Sequence, residues 1–452
     1  MTKRFKKMVV AFLLLSFPFA GVAQKKQPFN KQKMDSLLSV LESKDKLMGA
    51  VAIYQEGKPV YNRSIGYAMV DGNAKEKATT ATRYRIGSIS KTFTATLILQ
   101  LIEEKKLALN TPLSTFFPEF ENASAITVEH LLNQHSGLMS FTSVPTYGLY
   151  MTQPKTQADM LAIMASLKPI AEPGAKYDYS NTNYVLLGYI VERVTKKPYA
   201  QVLQEKIVDK LKLKDTYYGG KIDRTKKEAA SFKFINNQWS LAPETDMSIP
   251  HGAGAIVSTT KDLAVFINGL FAGKLISMAS LEQMKTIKDG YGLGLVTLKF
   301  DNQVSYGHGG IIDGFNSMIS YFPEQKLTMA TTFNGLNINP SDAHVGILSI
   351  AFNKPYKVPT YAAPKNLNLD LTKYEGTFVS QQFPLKITMR KEGELLMSQA
   401  QGQSAFALEP RSSQNFVFEP AQIEIEFKAN EAGVFDQFTL TQGAGKYHFT
   451  KE

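Results

Sequence analysis

Ser88 and Lys91 stand three residues apart where a polar stretch gives way to a run of helical periodicity. Apolar residues recur at Ile89, Phe93, Leu97, Ile98, Leu101 and Ile102, and those intervals of three and four predict a helix. Lys91 then lies one turn from Ser88 over the same face. A serine hydroxyl is a poor nucleophile until a base takes its proton. A lysine made neutral by burial is such a base. The free amides at a helix N-terminus favour the negative charge that develops during acyl transfer. The same spacing also fits a capping serine beside a solvated lysine.

Two later segments bear on that choice. Tyr179-Ser180-Asn181 follows the turn Glu172-Pro173-Gly174 and precedes an apolar helical run from Val185 to Val191. On a loop, a tyrosine and an asparagine two apart can both point into one cleft. The phenol can pass a proton, and the amide can donate to and accept from a substrate peptide bond. The alternative is an aromatic turn packed on the next helix. His308-Gly309-Gly310-Ile311 lies between strand-like runs, where glycines let a ligand approach the backbone. Its alternative is a glycine-rich hairpin with an incidental histidine.

The elements that must position these residues read as a mixture of helix and strand. Helical stretches are expected at 34–44, 91–104, 185–195 and 261–271, and strands at 48–54, 57–64, 294–300, 315–322 and 328–333. A proline-punctuated stretch from Asn353 to Pro364 ends this region. Beyond it the period changes to alternation, as in Phe383–Met389, Ile423–Phe427 and Phe435–Leu440, which predicts half-buried strands. Residues 365–452 are therefore expected to form a small antiparallel β-domain, barrel-like, and residues 24–360 the larger one. Residues 1–23 read as a secretory signal peptide. They have a basic start at Lys3, Arg4, Lys6 and Lys7, an apolar core from Met8 to Phe19, and small residues Gly21 and Ala23 before Gln24. The core is too short for a membrane span, so no stable membrane insertion is expected after cleavage.

In ordered combination the three motifs resemble those of the serine β-lactamase and penicillin-binding-protein superfamily. The likeness is to the branch holding class C β-lactamases, D,D-carboxypeptidases, D-aminopeptidases and related esterases. It runs from about residue 33 to about residue 350. Stretches such as Val128–Leu138, Ala253–Leu263 and Tyr291-Gly292-Leu293-Gly294 are similar to further landmarks of that branch. The resemblance implies an α+β fold, an antiparallel sheet flanked by helices with an all-helical lobe and the cleft between. It also implies that Ser88 attacks an amide or ester carbonyl, with Lys91, Tyr179 or the pair taking its proton. Tyr179 then relays the proton to the leaving group. Asn181 orients the substrate amide, and the backbone amides of Ser88 and Ile311 hold the oxyanion. His308, Gly309 and Gly310 would line the substrate.

Histidine at 308, where lysine serves in many relatives, is only fractionally charged at neutral pH if unperturbed, which weakens carboxylate recognition. The resemblance therefore implies first a peptidase of D-amino-acid peptides or cell-wall fragments. An esterase or amidase follows, then a class C-like β-lactamase. A penicillin-binding sensor that acylates without turnover, or a binding protein, is the alternative of another class. Substrates would be small peptides, esters or β-lactams, met in the periplasm or outside the cell.

Composition narrows the chemistry further. The 452 residues contain no cysteine, which excludes disulfides, a catalytic thiol and cysteine-ligated metal. The formal net charge of +11 is scattered without basic runs interleaved with aromatics, so no nucleic-acid partner is expected. The chemistry needs no metal or organic cofactor. His130 and His135, five apart, do not share a helix face and make no metal pattern. His251 in its glycine-rich loop could line the cleft or pack, and Tyr147 and Tyr150 could wall the pocket or join the core. His448 is expected to pack or face solvent.

Overall fold

The computed structural model describes residues 28–72, 74–235, 238–361, 367–403, 405–418, 421–430, 433–443 and 445–452. The expected signal peptide lies outside them, as do residues 362–366 at the expected domain boundary. In chain order the elements that frame the site are α1 (Lys31–Ser43), β1 (Leu47–Gln55), β2 (Lys58–Ile65), α2 (Ser90–Glu103), α3 (Asn181–Thr195), β3 (Phe232–Ile235), β4 (Gln238–Leu241), α4 (His251–Gly254), α5 (Thr260–Phe271), β5 (Val296–Phe300), β6 (Gln303–Ile312), β7 (Phe315–Phe322), β8 (Leu327–Leu336) and α6 (Pro340–Ala351).

The strands form one sheet in the order β5-β6-β7-β8-β1-β2, antiparallel throughout, with β3 and β4 attached beside β8. β1 sits between β8 and β2 and is buried along nearly its whole length. Its side chains alternate between two cores. Val51 and Ile53 pack with Met34, Leu37, Leu38 and Leu41 of α1 and with Ile347 of α6. Ala52 and Tyr54 face the other side, among residues of α2, α3 and α5. From Val128 to Leu211 every regular element among the described residues is a helix, which forms the helical lobe.

α2 departs from its sequence reading. The spacing predicts an amphipathic helix, yet residues 90–101 are all buried. Its polar positions are threonines that find internal acceptors: Thr92 donates to the Gly294 carbonyl at 2.8 Å, Thr94 to that of Gly252 at 2.6 Å. Buried hydroxyls so satisfied cost little, and the helix can run through the centre of the domain.

Beyond α6, eight antiparallel strands between Gly376 and Lys451 close into a barrel, the last pairing with the first at Phe378↔Lys451 and Val379↔Thr450. Its interior is filled by Phe378, Phe416, Phe427, Phe438 and Phe449 with aliphatic partners. Phe383 to Lys386 precede the strand Ile387–Glu392 and do not belong to it. His448 is exposed on the last strand. Among the described residues no helix is long and apolar enough to cross a membrane.

Candidate active site

Ser88 sits in a tight turn, Gly87–Ile89, that leads straight into α2. Gly87 holds φ +51°, a left-handed conformation open to glycine. Two close approaches follow. A Cβ on Gly87 would lie 2.9 Å from the Ile311 nitrogen; one on Gly310 would lie 1.9 Å from the Ile86 carbonyl and 3.0 Å from the Ser88 nitrogen. Neither position tolerates a side chain. The turn carrying Ser88 and the end of β6 therefore meet backbone to backbone, and the Ser88 and Ile311 amides belong to adjoining segments.

A buried ion pair fastens the same two segments. Arg85, three residues before Ser88, and Asp313, two after Ile311, are each about 1% exposed at the side chain and meet at 3.0 Å. Arg85 also donates to the Thr245 and Gly220 carbonyls at 2.8 Å and to Glu244 at 2.7 Å. The other carboxylate oxygen of Asp313 accepts from the Thr245 amide at 3.0 Å and its hydroxyl at 2.6 Å. Sequence reasoning missed this pair. The signal available was its position, an arginine ahead of the Ser88 turn and an Asp-Gly hairpin after β6.

Lys91 is wholly buried, and its amine touches three oxygens: Asn181 Oδ1 at 2.8 Å, the Ala253 carbonyl at 2.9 Å and Ser88 Oγ at 3.0 Å. Burial pushes its pKa well below the ordinary lysine value. A neutral amine has two N–H bonds and one lone pair. Asn181 Oδ1 and the carbonyl of Ala253, in α4, can only accept, so they take the two N–H bonds. The lone pair is left for the Ser88 hydroxyl, which can then donate its proton to it.

Asn181 is the first residue of α3 and not a loop residue. Besides taking a hydrogen bond from Lys91, it donates through Nδ2 to Thr142 Oγ1 at 2.9 Å, and one Nδ2 hydrogen is left for a substrate. Tyr179 is half-buried beside Ser88. Burial raises its pKa, partly offset by a hydrogen bond with Ser88. Burial thus favours the neutral phenol at Tyr179 and shifts Lys91 toward the neutral amine.

His308 corrects an expectation. Instead of being fractionally charged, it is buried in β6 and pushed down to about 3, by desolvation first and by Lys91 second. Its Nδ1 lies 2.5 Å from the Gly309 carbonyl and its Nε2 2.9 Å from the Tyr291 hydroxyl. A carbonyl cannot donate, so Nδ1 carries the proton and Nε2 accepts from Tyr291. Both ring nitrogens are used. Tyr291, from the Tyr-Gly-Leu-Gly stretch, is a second residue that sequence reasoning left without a role.

A cavity of about 510 Å³ opens over this constellation, and Ser88, Tyr179, Asn181, His308, Gly309, Gly310 and Ile311 all line it. It continues past Met318 to Ser341 and His344 on α6. The Ile311 side chain is exposed. Tyr147 and Tyr150 stay outside the lining. Tyr147 packs edge-to-face on Phe141 and on Tyr150, with centroids 5.9 and 5.8 Å apart. His251 is also outside the lining, stacked on Tyr189 at 4.6 Å and bonded to the Tyr218 hydroxyl at 3.0 Å. His130 closes a capping box with Thr127, and His135 pairs with Asp289 at 3.0 Å.

Comparison with known proteins agrees with this geometry. The family model described as Beta-lactamase matches residues 35–350. Penicillin-binding protein 4* of Bacillus subtilis (strain 168) is 26% identical over 437 residues, 89% of this chain and 95% of the relative. A teichoic acid D-alanine hydrolase of Staphylococcus aureus is 31% identical over 231 residues, 51% of this chain and 55% of the relative. Among solved structures, the D-amino acid amidase of Ochrobactrum anthropi SV3 complexed with L-phenylalanine is 27% identical with a TM-score of 0.60. That alignment covers 67% of this chain and 91% of the amidase.

Proposed function

The chain belongs to the beta-lactamase family of serine hydrolases, and from that premise we propose that it is an exported peptidase. Its reaction is cleavage of amide bonds in D-amino-acid peptides or cell-wall fragments, through an acyl-enzyme on Ser88. The observation that carries the reading is the buried Lys91 Nζ, 2.8 Å from Asn181 Oδ1, 2.9 Å from the Ala253 carbonyl and 3.0 Å from Ser88 Oγ, with its pKa pushed down by burial. Ser88 Oγ attacks the carbonyl carbon as its proton passes to Lys91 Nζ. The negative charge that forms on the carbonyl oxygen is met by the Ser88 and Ile311 amides, where losing one donor costs on the order of 10²–10³ in rate. The Tyr179 hydroxyl hands a proton to the departing amine as the carbon–nitrogen bond breaks and takes back the one Lys91 received from Ser88, so both groups end neutral. Water then cleaves the Ser88 ester. Preference for D-residues is supported by likeness to a D-amino acid amidase and a teichoic acid D-alanine hydrolase. The basic-then-apolar start of the chain supports export.

The test is intact-mass spectrometry and turnover with the protein and its Ser88→Ala variant. Probes are paired N-acetyl D- and L-amino-acid nitroanilides, nitrophenyl esters and nitrocefin. The expected result is Ser88-dependent turnover favouring the D-nitroanilide, with nitrocefin slow. Preference for the L-form would remove the substrate assignment. A Ser88 adduct that accumulates without turnover would make the protein a sensor.

A further inference from the structure

We infer that the site selects substrates uncharged on both sides of the scissile bond, as in an internal peptide bond or a capped amino-acid amide or ester. Free carboxylates and free ammonium groups next to that bond are rejected. This rests on the reading of Ser88 as the nucleophile, and it names the substrate class of that same cavity.

Among the described residues lining the cavity there is no arginine, lysine, aspartate or glutamate. An ion brought into such a cleft loses hydration and needs a partner in return. Four groups near the cavity could hold an anion. His344 lines it, with Nε2 bonded to the Thr331 hydroxyl at 3.0 Å and its pKa pushed down to about 4 by desolvation, so it brings no charge at neutral pH. The other three are already committed. Lys91 lies beneath Ser88 with its N–H bonds given to Asn181 and Ala253. His308 has Nδ1–H tied to the Gly309 carbonyl and Nε2 to Tyr291, so its ring offers the substrate no N–H. The N-terminus of α6 reaches the cavity through Pro340 and Ser341. Pro340 has no N–H, the Ser341 amide is taken by the Asn339 side chain at 2.9 Å, and Asp342 puts a negative charge in the first turn.

Of the carboxylates that could hold a cation, Asp313 is buried with both oxygens bonded to Arg85 and Thr245. Asp342 lies exposed outside the lining, where solvent screens its charge and one oxygen accepts from Gln422 of the barrel at 2.9 Å. What the cavity does present is neutral: Val296, Met318, the Gly309 backbone, the Asn316 amide and the Ser341 hydroxyl. Such a lining suits backbone amides and apolar side chains.

The test uses the protein with a set of aryl esters of matched size. In each, either the acyl half or the phenol half carries a carboxylate, an ammonium or a neutral amide at one position. kcat/KM is normalised to the uncatalysed hydrolysis of each ester. The neutral members are expected to exceed both charged members at least ten-fold. Asn316→Arg, which puts a cation on the cavity wall, should raise the carboxylate esters relative to the neutral ones. A charged ester turned over as well as its neutral counterpart would overturn the inference while Ser88 keeps its role. Esters all inert, or turnover kept by Ser88→Ala, would remove the nucleophile assignment and the inference with it.

Discussion

At the scale of single residues the chemistry depends on protonation states that no spacing specifies. Lys91 was legible as a base candidate because a helical run followed it. Its shift toward the neutral amine follows from burial, and that the amine's lone pair would face Ser88 follows from two acceptors, Asn181 Oδ1 and the Ala253 carbonyl, 90 and 162 residues away. Arginine at this position would stay charged at every accessible pH. Lys91→Arg is therefore expected to lower kcat/KM for a neutral ester by about 10³ or more, within the range of general-base losses. In the native protein the active form is the amine, so activity falls only as pH drops through the lowered Lys91 pKa. His308, at about 3, contributes no inflection near 6.5. A pH profile of kcat/KM and the His308 Cε1 proton shift, followed from pH 5 to 8, check both statements. A titrating shift near 6.5 would restore the fractional charge that the sequence alone suggested. Tyr291, which fixes the tautomer, lay in a recognisable stretch, but its partner is 17 residues further on, and no period links a turn to a strand.

At the scale of elements, the two amides expected to hold the oxyanion come from segments distant in sequence, the Ser88 turn and the end of β6. Gly87 and Gly310 let them touch, and the Arg85–Asp313 pair holds them together. Neither residue of the pair lines the cavity, so they act through the backbone as positioning residues. Asp313→Asn leaves Arg85 partly unpaired in a dry site, where breaking a buried pair costs about 3–5 kcal/mol; Glu244 keeps part of the charge balanced. The variant is expected to be less stable and, where folded, to lose kcat at least ten-fold with KM within about two-fold. Affinity for a boronic acid, whose tetrahedral adduct places an oxygen between the two amides, should fall in parallel with kcat. Loss of stability with unchanged kcat and boronate affinity would make the pair purely structural. Of this region, α1, α2, α3, α5, β1, β2, β5, β7 and β8 were legible from their periods. β3, β4, α6 and β6, the strand that carries His308 and Ile311, were not, and in β6 the glycines at 307, 309 and 310 interrupt the alternation. The full burial of α2 was not legible either, because Thr92 and Thr94 read as a polar face until Gly294 and Gly252 are seen to satisfy them.

At the scale of the molecule, the hydrolase region buries four histidines, His135, His251, His308 and His344, while the barrel carries His448 at its surface. His308 and His251 are pushed down to about 3, and His344 to about 4, each by desolvation first. They lie on β6, α4 and α6, so they sample both faces of the sheet. In the unfolded chain each would bind a proton near pH 6.5. With folded values below unfolded ones, the unfolded state binds more protons as pH falls, and stability must fall with it. The loss begins near 6.5 and continues toward the folded values of about 3 to 4. Three such groups amount to about 3 kcal/mol between pH 6.5 and 5.5. Glu192 and Asp262, raised by burial, bind protons first in the folded state and oppose the trend toward lower pH. A difference between proteins isolates the histidine part. Urea unfolding of the native chain and of His344→Gln, at half-unit steps from pH 7 to 5.5, should show the variant losing less stability by about one proton's share, near 1 kcal/mol over the steepest unit. Glutamine keeps a donor for Thr331, which bonds His344 at 3.0 Å, so the comparison is of titration more than of packing. Parallel slopes for the two proteins would mean that His344, which lines the cavity, takes up its proton in the folded state.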